Sequence, residues 1–271
     1  MPVARTRKTK NNKKSNKRRT SGAPGASGPQ AARPVTKRRK LAAALLAAVL
    51  VGVLMIGVLS AIGPPGGDEE GDAQEQGEVQ PLPEGHPALD LARRDADDPL
   101  AVGPADAPVV MIEYVDFQDA FAGIHARGTH GELVEEYVGT GALRIEVRNF
   151  PINGPESDAA ARAAWAAGQQ DRFWEFHDAA FAEEFHRDSG RFDEDGVLAL
   201  AEAADVPDLA RFEADMASDE AGEAVGRDAQ EAYDLGVTST PSFLLNGQAL
   251  HGARSADEFR DVIDQLYEAA E

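Results

Sequence analysis

Two strand-like segments separated by a helix-like segment constrain the fold of this chain more than any other feature. Val109–Val115 begins as an apolar, mostly β-branched run and then alternates, as a central strand does. Residues 121–138 have helical spacing, although two glycines weaken the middle of the predicted helix. Residues 143–150 alternate strictly up to Pro151. The pattern predicts a βαβ unit with two parallel strands.

The rest of the C-terminal part predicts helices and one hairpin. Residues 157–216 are rich in alanine with helical spacing, which predicts an all-helical insertion whose first helix is capped by Ser157. A further long helix follows. Two short apolar runs then flank Asn246 and Gly247, a strong hairpin signal. A final amphipathic helix is expected to begin after Ser255.

Three short motifs carry a resemblance to the DsbA-like thioredoxin family. Residues 116–122, Asp-Phe-Gln-Asp-Ala-Phe-Ala, resemble its active-site turn D-F-Q-C-P-[FY]-C. Residues 172–177 resemble the segment K-F-W-x-[YF]-H of its helical insertion, and residues 236–243 resemble G-V-x-x-T-P-[ST]-[FV]. The resemblance implies an α/β, thioredoxin-like fold with a DsbA-type insertion over residues 99–271.

The turn that resembles the family's active site lacks the family's chemistry. Asp119 stands where the nucleophilic cysteine would be and Ala122 where the resolving cysteine would be, and the chain contains no cysteine at all. Without a thiolate no mixed disulfide forms, so the chain cannot perform thiol–disulfide exchange by itself. Two interpretations of Asp119 remain open: it caps the following helix, or it acts as a general base or ligand.

Other polar residues near this turn are weaker candidates. Glu113 matches an acidic position that the family uses for proton transfer beneath the active site; here it is interpreted as a remnant, with a raised pKa if buried. His125 and His130 could be imagined as metal ligands with Asp116 or Asp119. Their spacing of five does not place them on one face of an α-helix, so we expect solvent-facing histidines. Neither a metal nor a cofactor is predicted.

The resemblance also implies a peptide-binding groove. In the family, the bond that corresponds to Thr240–Pro241 is cis, and the residue before the proline pairs with an extended peptide, which needs no cysteine. Phe117, Phe121 and Phe243 are candidates for an apolar rim of this groove, although core positions explain them equally well. A purely structural cis-proline is the alternative.

The N-terminal region predicts a membrane anchor. Residues 41–62, from Leu41 to Ile62, are uncharged and long enough to cross a bilayer. Basic residues precede them and acidic residues follow, which predicts a cytoplasmic N-terminus and an extracytoplasmic C-terminal domain at the cell membrane. A cleaved signal peptide is the competing interpretation. Residues 63–98, rich in Gly, Pro, Glu and Gln towards their start, are predicted to be a flexible linker.

Charge separates the tail from the domain. Residues 1–40 hold 14 of the 27 Lys and Arg and no acidic residue, which predicts a disordered cytoplasmic arm that could also contact anionic lipid. The other 13 basic residues face all 47 Asp and Glu, a formal charge of −34. Because phosphate contacts need Lys and Arg, the folded domain is not expected to bind nucleic acid.

These observations predict a membrane-anchored, redox-inactive module that binds an extended peptide or an envelope protein. One alternative is disulfide oxidoreductase or isomerase function exercised only together with a cysteine-containing partner. A weaker alternative is a non-thiol enzyme that uses Asp119 and His125.

Overall fold

The computed structural model describes residues 79–184 and 186–270. The predicted tail 1–40, the predicted transmembrane helix 41–62 and the start of the predicted linker lie outside the described residues. None of the helices among the described residues has the length and apolar character that crossing a membrane requires. Residues 79–98 pack on the domain: the Val79 amide donates to Gln265 Oε1 at 2.9 Å, and Arg93 pairs with Asp228. This part of the predicted linker therefore belongs to the folded domain.

A five-stranded mixed sheet forms the centre of the domain. Its strands are β1 (Ala101–Val102), β2 (Val109–Val115), β3 (Leu143–Asn149), β4 (Ser242–Leu245) and β5 (Gln248–His251), in the order β1-β3-β2-β4-β5. As predicted, β2 and β3 are parallel, with Val109 opposite Leu143; the other pairs are antiparallel. Every residue of β2 is buried, as expected for a central strand covered on both faces.

The helical segment that joins β2 to β3, named α1 here, is not a regular α-helix. It begins as α-helix at Ala120–His125, continues as π-helix at Ala126–His130, returns to α-helix at Gly131–Leu133 and ends as π-helix at Val134–Val138. The sequence indicated weakness at this point through two glycines, but it did not predict the wider turns.

Four helices form the insertion: α2 (Pro155–Gly168), α3 (Phe173–Phe181), α4 (Glu194–Ala203) and α5 (Leu209–Met216). The predicted cap of the first helix is wrong, because α2 starts at Pro155 and Ser157 lies buried inside it. Proline suits the first helical turn, whose amide groups have no partner within the helix. The Ser157 hydroxyl instead accepts from Gln118 Nε2 at 3.0 Å, which ties α2 to the turn after β2.

Two further helices cover the faces of the sheet. On one face, α1 and α7 (Ala256–Ala270) bury Leu133, Phe259 and Ile263 against β2, β3 and β4. On the other face, α6 (Asp219–Asp234) packs Ala232 against β2 and β4. A third cluster fills the space between the end of the sheet and the insertion. The predicted thioredoxin-like architecture with a helical insertion is thus confirmed.

The polar face of β3 is buried. Arg144, Glu146 and Arg148 alternate along this strand and are at most 2% exposed. Glu146 accepts from Arg144 Nε at 2.8 Å, from Arg148 Nη2 at 2.7 Å, and from the backbone amides of Arg93 and Arg94 at 2.9 and 2.8 Å. The segment before β1 therefore closes over a fully hydrogen-bonded ionic cluster.

Candidate functional site

In the turn between β2 and α1, hydrogen bonds of Asp119 hold the position that resembles that of the nucleophilic cysteine. Asp119 is the N-cap of α1, and its Oδ1 accepts from the Phe121 amide at 2.7 Å. Its Oδ2 accepts from the hydroxyl of Thr240, the residue before the proline. A carboxylate in this place is favoured by the free amide groups and the dipole of a helix N-terminus. Ala122, at the position of the resolving cysteine, is buried.

Asp116 holds the site together from below. This buried carboxylate accepts from the amides of Gln118, Ile152 and Asn153 and from the side chain of Asn153, at 2.8–2.9 Å. It therefore fastens the loop after β3 to the turn after β2. With its oxygens used in this way, Asp116 is not available as one of the two aspartates that could have joined His125 and His130 in a metal site.

The three predicted rim phenylalanines have different positions. Phe117 is completely buried and stacks on Phe181 with ring centroids 5.2 Å apart, so it cannot line a groove. Phe243 is buried in the sheet. Phe121 is 60% exposed, and Ile124, one turn further along α1, is 51% exposed. The accessible apolar surface at the site is therefore formed by Phe121 and Ile124, because the backbone directs the other two rings into the core.

The Thr240–Pro241 bond is cis. Thr240 is buried, whereas the preceding Ser239 is exposed. Among the hydrogen bonds between described residues, none uses the amide or carbonyl of Thr240. These backbone groups lie next to the start of β4 and close to Asp119.

The main surprise is a cluster of three buried polar side chains between β2 and α1. Glu113, His125 and His130 each offer one atom, and these atoms lie within 4.8 Å of one another. The prediction of solvent-facing histidines is wrong. The reason is the π-helical turn Ala126–His130, in which hydrogen bonds join residues five apart and so bring His125 and His130 to the same side.

Burial makes this cluster uncharged at neutral pH. It raises the pKa of Glu113 to about 8, as the sequence led us to expect. Burial, together with the neighbouring His130 and His177, lowers the pKa of His125 to about 3. The pKa of His130 is also about 3, because burial and His177 outweigh the opposite effect of Asp178. The contact of 3.9 Å between His125 Nε2 and Glu113 Oε2 is therefore one between neutral groups.

The raised pKa of Glu113 predicts a dependence of stability on pH. The unfolded chain ionises this carboxyl near pH 4.5 and the folded chain near pH 8, so its contribution is complete below pH 4.5 and is lost as the pH rises through 8. Glu113→Gln should remove this loss. The free energy of unfolding of the variant should therefore rise relative to that of the natural chain by about 1.4 kcal/mol per pH unit over this range.

The measurement is urea unfolding of both full-length chains at pH 5, 6.5 and 8.5 with a chelator present. The neighbouring His125, His130 and His177 are common to both chains, so the difference between the two isolates Glu113. A difference that stays constant with pH would contradict the prediction.

Comparison with known proteins agrees with this architecture. A family model described as Thioredoxin matches residues 95–265. The chain is 31% identical over 168 residues to "Probable disulfide bond formation protein D" of Bacillus cereus, covering 61% of this chain and 77% of that protein. It is 32% identical over 178 residues to "Na(+)/H(+) antiporter NhaA 3" of Salinispora tropica, covering 65% of this chain. The match spans only about a quarter of the antiporters' own length, 26% and 25% in the two from Salinispora.

Solved structures show the same fold. A thioredoxin-like oxidoreductase from Silicibacter pomeroyi has a TM-score of 0.55 at 27% identity, covering 64% of this chain and 94% of that one. BdbD from Bacillus subtilis is similar in fold, with a TM-score of 0.58 at 18% identity. The similarity covers 62% of this chain and 92% of the BdbD chain. The chain thus belongs to the thioredoxin family, among its DsbA-like members, as a member without cysteines whose active-site turn carries Asp119 and Ala122.

Proposed function

We propose that this protein is a redox-inactive binding module, anchored in the cell membrane with its thioredoxin-like domain outside the cytoplasm. In this function the domain holds an extended peptide or a segment of an envelope protein beside the cis-proline, and it transfers no electrons.

One observation carries the proposal: Asp119 occupies the nucleophile's place and bonds the hydroxyl of Thr240. The carboxylate cannot form a disulfide, yet it joins the turn after β2 to the segment that contains the cis-proline. The cis-proline segment, which would serve recognition, is thereby retained, while the two cysteines that would serve redox chemistry are absent.

The chemistry of the surface indicates what would bind. The backbone groups of Thr240 suit main-chain pairing with an extended segment, and the exposed Phe121 and Ile124 suit an apolar side chain of that segment. Arg127 and Glu184, which pair at 3.8 Å, line the same pocket as Asp119 and Ile124. A short segment fits this surface if its apolar residue contacts Phe121 and Ile124 and a neighbouring polar residue contacts the Arg127–Glu184 pair.

Membrane anchoring is supported by the uncharged run 41–62 and by the relatives. In the Salinispora proteins, the segment similar to this chain is part of a longer chain named as a Na(+)/H(+) antiporter. A domain of this kind working next to a bilayer is therefore consistent with the predicted anchor.

The direct test is an insulin-reduction assay with the full-length chain in detergent. We expect insulin to precipitate no faster with the protein than in a control that contains only detergent and reductant. Turnover above that rate would overturn the proposal of a redox-inactive module. The groove is tested separately by a photo-crosslinking residue placed at Ser239 in native membranes, where a discrete crosslinked partner is expected.

The apolar surface gives a sharper prediction for this crosslink. Changing Phe121 and Ile124 together to serine should lower the yield about tenfold, because even one buried apolar side chain contributes about 1.5–3 kcal/mol. Tyr267→Ser on α7, which also removes a partly exposed ring, is the matched control and should leave the yield unchanged. Equal yields from all three chains would show that this surface does not bind the partner.

A second candidate is action in disulfide formation through another protein's thiols. It is favoured by the similarity to a probable disulfide bond formation protein. Here the domain holds the substrate while a cysteine-containing partner performs the exchange. Recovery of such an oxidoreductase with the full-length chain from native membranes would support this candidate, and its absence from the recovered proteins would remove it.

A further inference from the structure

We propose that Glu113, His125 and His130 form a binding site for a divalent transition-metal ion, with Zn²⁺ as the ion to test first. The site lies between β2 and α1, separate from the peptide groove, and does not depend on the groove's function. Two imidazoles and one carboxylate are a ligand set that zinc accepts readily.

The ligand atoms are unused by the protein. Within the described residues, Glu113 Oε2, both ring nitrogens of His125 and Nδ1 of His130 are buried and have no hydrogen-bond partner. Leaving such groups unpaired costs about 1–3 kcal/mol each, so a buried cluster of this kind calls for something to satisfy it. The three side chains point towards one another, which indicates one shared occupant.

The geometry is close to that of a zinc site. In tetrahedral coordination with bonds of about 2.0–2.1 Å, ligand atoms lie about 3.4 Å apart. His125 Nε2 and Glu113 Oε2 are 3.9 Å apart, and all three ligand atoms lie within 4.8 Å of one another. Side-chain movements of about an ångström would bring the three ligands into range, and a water molecule would take the fourth position.

Aromatic rings surround most of the candidate site. The ring of His125 lies 4.6 Å from that of Phe243 and 5.2 Å from that of Phe259, and His130 stacks on Trp174 at 5.1 Å. This aromatic shell shields the three protein ligands from most of the surrounding water. His130 also lines a surface pocket of about 510 Å³, through which an ion would enter.

The same environment determines the expected affinity of the site for the metal ion. Metal-binding histidines usually donate their second nitrogen to a carboxylate or carbonyl group, and within the described residues His125 has no such partner. We therefore expect an affinity about 10–100-fold below that of a fully supported site. The ion would join the central strand to the helix that follows the vacated turn.

The test uses the full-length chain, purified without a histidine tag, stripped with a chelator, incubated with Zn²⁺ and desalted. Mass spectrometry of the metal should find one zinc per chain. Glu113→Gln, which keeps the shape, and His125→Phe, which suits the aromatic surroundings, should retain none. His186→Ala, at an exposed histidine outside the cluster, is the matched control and should keep the ion.

Two further measurements separate this site from surface binding. At a zinc concentration of about 100 times Kd, the natural chain should melt about 5–10 °C higher, and Glu113→Gln should not shift. Co²⁺ in place of zinc should give the intense visible bands of four-coordinate cobalt. Zinc at the same level in Glu113→Gln as in the natural chain would overturn the proposal, as would no binding to either. If His125→Phe fails to fold, Glu113→Gln decides.

Discussion

The double variant Asp119→Cys and Ala122→Cys is expected to reduce insulin disulfides, whereas the natural chain is expected to show no turnover. The scaffold around both positions is intact. The Phe121 amide already donates to the side chain at position 119, and the cis bond before Pro241 is in place. A thiol at position 119 would therefore stand at a helix N-terminus, the environment that stabilises a thiolate.

The expected size of the effect follows from ionisation. A free cysteine has a pKa of about 8.5 and is only about 3% ionised at pH 7, whereas helix N-termini lower the pKa to about 3.5–7.5. A pKa of 6.5 would give roughly 25-fold more thiolate. The second thiol, three residues later, then releases the mixed disulfide, so that the double variant turns over repeatedly.

Two controls make this result specific. The single variants Asp119→Cys and Ala122→Cys each lack one thiol and should show no repeated turnover. The variant Asp119→Ser with Ala122→Ser loses the contact between the carboxylate and Thr240 without gaining a thiol, and it should also be inactive. If the double cysteine variant forms its internal disulfide but does not reduce insulin, more than two residues separate this chain from its active relatives.

The second large effect is expected at Glu146 in the centre of the buried ionic cluster. Glu146→Ala removes the acidic partner that Arg144 and Arg148 share, which leaves the buried Arg144 without its carboxylate, while Arg148 keeps Glu231 at 3.2 Å. Breaking a buried ion pair from one side costs about 3–5 kcal/mol, which corresponds to a melting temperature lower by about 6–20 °C. Thermal unfolding of the full-length chain measures this difference.

The matched control is Glu136→Ala, because Glu136 also binds an arginine, Arg260, through two short contacts, but at the surface. Solvent screens that pair, so the melting temperature should hardly change. A comparable loss in both variants would show that the burial of Glu146 is not what makes it important.

The pH dependence of the Glu146 effect has a definite sign. Burial acts to raise the pKa of Glu146, but hydrogen bonds from Arg144 and Arg148 outweigh it and lower the pKa to about 2. Its stabilising contribution is therefore complete above pH 4.5 and is lost as the pH falls towards 2. Measured against Glu146→Gln, the advantage of the natural chain should shrink over this range.

Short motifs predicted the frame of the site, partly through local chemistry and partly through the resemblance to the family. The resemblance implied the turn after β2 and the cis bond before Pro241, and the chemistry of helix termini favoured a cap at Asp119. The cap could be predicted from helix termini in general, since an aspartate there satisfies free amides. Its contact with Thr240 could not, because these residues lie 121 positions apart.

The histidines show why the rest escaped prediction. A spacing of five separates His125 from His130 on a regular α-helix, and only the π-helical turn brings them together beside Glu113. Phe117 and Phe121 are both aromatic residues of the same turn, yet one is buried in the core and the other is exposed. Neighbouring residues do not determine which side chains of a turn pack against an insertion that is distant in the chain.

The sequence by itself determined the order of the elements, the family and the absence of cysteine, because these follow from residue types and their spacing. Only the tertiary structure decided which polar groups are buried. Glu113 and Glu146 both lie on central strands and are both out of contact with water, but one has arginine partners and the other has none. Burial and pairing are set by what packs against a strand from elsewhere in the chain, and this difference separates a stabilising ionic cluster from a candidate metal site.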